Sequence, residues 1–132
     1  MKKPNFQKHA QDEFRFLVER CGFIQTTAEP NIVRYTSKDV MIEVNYSGRG
    51  EVDVILDENP PSYRFQFSLF IHAFHPQIWK TLGDGIADSD AEVRRELNRL
   101  SNALEHYGKP LLEHDIQVFE KMRTVKWWEL PK

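Results

Sequence analysis

The sequence predicts an α+β fold: an N-terminal helix, an antiparallel sheet of about five strands in a meander, and two C-terminal helices packed on the sheet. Three observations carry this expectation. Apolar residues recur at spacings of three and four before residue 22 and again after residue 92. Between residues 23 and 71, short runs of alternating apolar and polar residues are separated by turn residues. The chain of 132 residues contains no repeat, linker or low-complexity stretch, so one domain over 1–132 is expected.

In the first helix, Ala10, Phe14, Leu17, Val18 and Cys21 form one apolar stripe, with Asp12, Glu13, Arg15, Glu19 and Arg20 between them. Gly22 follows the stripe, at the place where a left-handed residue often ends a helix. Two strands are expected over 23–27 and 32–36, around a turn at Glu29-Pro30-Asn31. Val40, Ile42, Val44 and Tyr46 alternate with Met41, Glu43 and Asn45, which is the clearest strand pattern in the chain. Ser47-Gly48-Arg49-Gly50 supplies a turn, and Val52, Val54 and Leu56 mark a return strand. Asp57-Glu58-Asn59-Pro60-Pro61 breaks that strand, and Phe65, Phe67, Leu69 and Ile71 read as a fifth. Residues 72–88 read as a loop with one short helical turn.

Ser89 and Glu92 have the spacing of a capping box. They precede Val93, Leu97, Leu100, Leu104 and Tyr107, the apolar face of a long helix that Gly108 and Pro110 close. Leu111, Leu112, Ile116, Phe119 and Met122 suggest a last helix lying back on the core, followed by a tail with Trp127 and Trp128.

Composition narrows the function classes. Hydrophobic residues make up 40% and aromatic residues 12%, enough for a packed core and against disorder. The net charge of -2 disfavours nucleic acid as a partner, because binding to the phosphate backbone draws on basic residues. The single cysteine, Cys21, permits no intrachain disulfide. Met1-Lys2-Lys3-Pro4 leads into a mixed stretch without an apolar signal region, and no run has the length of a membrane span. The cytoplasm is the expected compartment, with no membrane partner and no cofactor.

Several groups of residues are candidate sites. His72 and His75 have an H-x-x-H spacing, but a zinc site needs a further ligand, such as Asp84. Glu113-His114-Asp115 reads as a solvated helix edge, since consecutive helical residues diverge around the axis. Cys21 falls at a helix C-terminus, which disfavours a thiolate, and reads as a small core residue. Gly48-Arg49-Gly50 and Gly83-Asp84-Gly85 read as turns without the context of a phosphate-binding loop. Two acidic clusters stand out. Glu51, Asp53, Asp57 and Glu58 lie in one stretch without Lys or Arg, and Asp84, Asp88, Asp90 and Glu92 lie in another. Glu51 and Asp53 share the strand face opposite Val52, Val54 and Leu56. The clusters read as solvated acids, those near residue 90 favouring a helix N-terminus, or as a negative surface for a basic partner. Trp127 and Trp128 read as a binding anchor or as a cover for the core.

Three motifs carry a resemblance. They are F-x-F-L-x-x-x-x-G-F from Phe14 to Phe23, V-x-I-x-V-x-Y from Val40 to Tyr46, and L-x-x-Y-G-x-x-L-L-x-x-D-x-x-x-F from Leu104 to Phe119. In these the chain resembles a broad set of small bacterial α+β proteins of uncharacterised type, some of which resemble toxin-system immunity proteins. The resemblance implies a protein that binds and neutralises a cognate toxin, with a basic toxin domain facing the acidic clusters. Its motifs mark helix ends and core positions, so no binding residue is carried over. Two other readings stand beside it: a self-associating structural or regulatory subunit, and a metal-dependent enzyme centred on His72 and His75.

Overall fold

A computed structural model describes residues 4–47, 49–60 and 62–132. Met1-Lys2-Lys3, Gly48 of the expected 47–50 turn and Pro61 of the expected break at 57–61 lie outside the described residues. Helices α1 (Phe6–Glu13) and α2 (Arg15–Arg20) precede five strands: β1 (Ile24–Glu29), β2 (Ile32–Ser37), β3 (Val40–Tyr46), β4 (Val52–Glu58) and β5 (Tyr63–Gln66). There follow α3 (Phe67–Phe74), α4 (Pro76–Trp79), α5 (Asp90–Tyr107), α6 (Lys109–Leu112), α7 (Ile116–Thr124) and a 3-10 turn (Trp127–Glu129). The strands form one antiparallel sheet in the order β1-β2-β3-β4-β5, the meander the sequence predicts.

One face of the sheet carries Val33, Tyr35, Ile42, Val44, Val54 and Leu56, all buried. Helices α1, α3 and α5 pack on the sheet, contributing Phe6, Ala10, Phe67, Phe70, Leu97 and Leu104 to the same core. Each fully buried Val, Ile, Leu or Phe side chain of this core stabilises the fold by about 1.5–3 kcal/mol. The opposite face is polar. Arg34 Nε donates to Glu43 Oε1 at 2.8 Å, and Arg64 Nη2 donates to Glu43 Oε2 at 3.0 Å.

Several boundaries differ from the expectation. The first helix starts earlier, at Phe6, and is interrupted at Phe14. That interruption rotates the second segment, so Phe16 is buried while Val18, expected on the stripe, is exposed. Gly22 does adopt the left-handed conformation, with φ +76°. The expected strand over 65–71 ends at Gln66, and α3 begins at Phe67. Phe67, Phe70, Ile71 and Phe74 have helical spacing, and Phe70 stacks on Phe74 at 4.9 Å. Helix α5 follows the prediction, with the Ser89 side chain accepting from Glu92 N–H. The last helix is split into α6 and α7 at Glu113–Asp115, where His114 has φ +52°. Ile116, expected on the buried face, is consequently exposed.

Candidate functional site: an acidic cleft at a break in the sheet edge

The cleft follows from the way β4 is left partly unpaired. Strand β5 pairs only with residues 55–58 of β4, because the chain leaves the sheet at Gln66. The start of β4 is covered by a different segment. Val52 N–H donates to Gly85 O at 2.8 Å, Ala87 N–H donates to Gly50 O at 2.7 Å, and Glu51 bridges Ile86. Gly85 has φ +75°, and a Cβ there would lie 2.7 Å from Val52 O, so glycine is what permits this approach.

Between the two covered stretches no strand among the described residues pairs with β4 on this side, and Asp53 fills the gap. Its Oδ1 accepts from Val54 N–H at 2.9 Å and its Oδ2 accepts from Gln66 Nε2 at 2.8 Å. A buried N–H left unpaired would cost about 1–3 kcal/mol, which Asp53 averts. Burial pushes the Asp53 carboxyl above its usual range, against the two hydrogen bonds, and the nearby Glu51 and Glu43 charges add to the rise.

The resulting cleft has a volume of about 210 Å³. Glu51 and Asp53 come from the β4 side, Gln66 and Ser68 from the β5–α3 junction, Trp79 from α4, Leu82 to Gly85 from a loop, and Glu96 from α5. Among the described residues no Lys or Arg lines the cleft, although Arg99 lies directly behind Leu82, Gly83 and Glu96. Glu96 is 3% exposed. Arg99 Nη1 lies 3.3 Å from Glu96 Oε2, but donates to Leu82 O at 3.1 Å and to Glu96 Oε1 at 3.4 Å. Glu96 Oε2 therefore accepts no hydrogen bond although it is buried. A volume of this size is below the roughly 300–1,000 Å³ typical of small-molecule sites, and suits a single long side chain.

The two acidic clusters are thus dispersed, and only part of each reaches the cleft. Glu51, Asp53 and Asp84 converge there. Asp57 lies on the polar sheet face, with Arg64 Nη1 at 3.5 Å. Glu58 is not a solvent-facing acid: it is 2% exposed, on the same strand face as Val52, Val54 and Leu56. It is held by Arg123 and by His114 Nε2 at 2.9 Å. That also corrects the solvated reading of Glu113-His114-Asp115, since His114 is turned inward and packs edge-on against Phe119. Asp90 accepts from Asn5 N–H at 2.8 Å and lies 2.9 Å from His9 Nε2, tying α1 to the start of α5. Asp88 neighbours Glu92, whose carboxyl is held below its usual range by hydrogen bonds from the Ser89 hydroxyl and then the Asp88 backbone N–H.

Trp127 and Trp128 are 68% and 63% exposed, and meet edge to face at 5.8 Å. They do not cover the core. Trp127 borders a shallow groove with Leu69, His72 and Trp79, which shares Gln66, Ser68 and Trp79 with the acidic cleft. The His72 ring stacks on Trp79 at 3.6 Å, and its Nε2 meets Pro131 O. His75 packs on Tyr107 at 4.9 Å. The two histidines thus have separate partners, and among the described residues no group of three His, Cys, Asp or Glu is placed to hold a metal ion. Cys21 is half-buried, and burial raises its thiol above the usual range, with Arg20 opposing and Glu105 adding.

Sequence reasoning missed Gln66, Ser68, Trp79 and Glu96 as parts of one site. Glu96 had a readable signal: it falls on the face of α5 that Val93, Leu97 and Leu100 occupy, where a charge is out of place. The others come together only through the β5–α3 junction.

No protein-family model, curated protein or solved structure matches the chain. What the fold and site define is a small α+β protein with an acidic cleft beside exposed tryptophans. No helix among the described residues is long and apolar enough to cross a membrane.

Proposed function

We propose that this protein is a protein-binding module with a basic partner, and that it acts as a cytoplasmic immunity protein that neutralises a cognate bacterial toxin by direct contact. The observation that carries the reading is the convergence of Glu51, Asp53 and Asp84 in a cleft whose lining, among the described residues, includes no Lys or Arg. Such a surface speeds encounter with a basic protein and rejects acidic ones, because like charges brought together are penalised. Trp127 borders the groove that adjoins the cleft and meets Trp128 edge to face, and tryptophan is among the residue types enriched at interface anchors.

The test is co-expression of the tagged protein with the product of the adjacent upstream gene, followed by co-purification and a growth assay. The expected result is a one-to-one complex with a basic polypeptide whose toxicity the protein suppresses. Glu51→Lys and Asp84→Lys, both in exposed positions, should slow association and reduce its salt dependence. Recovery of the protein alone, with no protection of growth, would overturn the proposal.

One observation favours a second reading, self-association. Among the described residues no strand pairs with the outer edge of β1, and Ile24 on that strand is 69% exposed. Sedimentation at several concentrations tests it: a concentration-independent monomer excludes it.

A further inference from the structure

We infer that the Asp84–Gly85 peptide is a site of spontaneous isoaspartate formation, and that the conversion unfastens the 85–87 segment from β4. The Gly85 backbone nitrogen gives up its proton and bonds to Asp84 Cγ, while the carboxyl, in its acid form, loses its hydroxyl. Proton and hydroxyl leave as water, and a cyclic imide closes. Water then opens the ring. Breaking the bond to Cγ restores aspartate. Breaking the bond to the main-chain carbonyl carbon leaves the chain running through Cβ and Cγ, with the former main-chain carbon as the free carboxylate. The water released is returned, so the conversion needs no other reactant and leaves the net charge unchanged.

Sequence and geometry single out this peptide. Of the chain's eight aspartates only Asp84 precedes a glycine, and a Cβ on the following residue would crowd the attacking nitrogen. That nitrogen is also uncommitted. Among the described residues the Gly85 N–H meets no acceptor, whereas Ile86 N–H donates to Asp84 Oδ1 at 3.0 Å and Ala87 N–H to Gly50 O at 2.7 Å. An N–H already bonded has to give up that bond before it reacts. The carboxyl is placed for attack. By accepting from Ile86, two residues on, it folds over the intervening 84–85 peptide, whose nitrogen is the attacking one. Asp84 is exposed to the water that opens the ring, and it sits outside any helix or strand. Gly83 at φ +80° and Gly85 at φ +75° flank it. The neighbouring aspartates lack this combination. Asp88 precedes Ser89, and Asp90 lies in the first turn of α5, where it accepts from Asn5 N–H at 2.8 Å.

The 85–87 segment has no slack to absorb the change. Isoaspartate adds one carbon to the backbone directly before Gly85. There Gly85 O accepts from Val52 N–H at 2.8 Å, and even a Cβ on Gly85 would lie 2.7 Å from Val52 O. The lengthened chain loses the register that lets Val52 and Ala87 N–H bond at once. Asp84 and Gly85 both line the cleft, so ageing at this one peptide rebuilds its wall.

The full-length protein, its Asp84→Glu variant and a free peptide of residues 81–94 are held side by side at neutral pH in ¹⁸O-labelled water until half of the peptide has isomerised. Digestion follows in ordinary water. Trypsin cuts after Lys80 and Arg94, so Asp84, Asp88 and Asp90 fall in one fragment, and electron-transfer fragmentation locates isoaspartate within it. The expected result is isoaspartate at Asp84 of the folded protein, carrying an ¹⁸O atom, in several-fold excess over Asp88 and Asp90. Glutamate has to close a larger ring, so Asp84→Glu should show no conversion at this position. The converted form, separated by chromatography, should lose exchange protection at Val52 and Ala87 N–H while β3 keeps its own. A folded protein that stays unconverted at Asp84 while the free peptide isomerises would overturn the inference. So would equal conversion at Asp88 and Asp90, or a converted form in which Val52 and Ala87 remain protected.

Discussion

Replacing Arg123 by leucine removes a guanidinium from a carboxylate that is almost wholly out of water. Glu58 is 2% exposed and has two partners, Arg123 and His114. Removing one partner of a buried ion pair typically costs about 3–5 kcal/mol, since the remaining charge has no solvent to compensate it. Two features place this case at the low end. The Arg123 side chain is itself 30% exposed, and His114 Nε2 stays 2.9 Å from the carboxylate. The expected cost is therefore about 3 kcal/mol, a large share of the roughly 5–15 kcal/mol that holds a domain folded. For a chain of this length that lowers the melting temperature by about 10 °C. Urea unfolding gives the free energy, and a thermal scan gives the melting point. Adding Glu58→Gln to Arg123→Leu removes the stranded charge and should recover about 1–2 kcal/mol, whereas Glu58→Gln alone destabilises. A loss below about 1 kcal/mol in Arg123→Leu, or no recovery in the double variant, would refute the reasoning that Glu58 is a buried ion held by α7.

Two further predictions test the sheet edge and its charges. Gly85→Ala forces a Cβ to within 2.7 Å of Val52 O at a φ of +75°, and should cost about 1–3 kcal/mol. Hydrogen exchange should show lost protection at Val52 and Ala87 N–H, whose bonds hold the 85–87 segment, while β3 keeps its protection. The remaining prediction concerns acid stability, where Asp53 and Glu43 act with opposite signs. Burial raises the folded pKa of Asp53, so the folded state holds its proton more tightly than the unfolded chain does. Asp53 thus favours folding as pH falls from the raised value to the ordinary carboxylate range, and Asp53→Asn should remove that gain. Glu43 is also subject to burial, which raises its pKa, but hydrogen bonds from Asn45 and Arg34 and the Arg64 and Arg34 charges outweigh it and leave it lowered. Its contribution is present above the ordinary range and lost as pH falls through the lowered value, so Glu43→Gln should flatten the acid loss. Urea midpoints between about pH 3 and pH 6 read both signs, and opposite slopes would overturn the assignments.

Local pattern alone was enough for the α+β class, the five-strand meander and α5. In each, the apolar period matches one conformation only: two residues for β3 and β4, and three to four for α5 with its Ser89 cap. Glu58 has the strand parity of Val52, Val54 and Leu56, so its burial was legible before its partners were known. At 65–71 local pattern was ambiguous, because Phe65, Phe67, Leu69 and Ile71 fit a strand while Phe67, Phe70, Ile71 and Phe74 fit a helix. Packing of Phe67, Phe70 and Ile71 in the core settled that tie in favour of α3. The cleft depends on this outcome. Because β5 stops at Gln66, β4 is left with a gap, and side chains as distant in sequence as Glu51 and Glu96 meet around it. Periodicity records which face of its own element a residue occupies. Which elements end up side by side is decided by the burial of those faces against one another, and the acidic cleft exists only at that level.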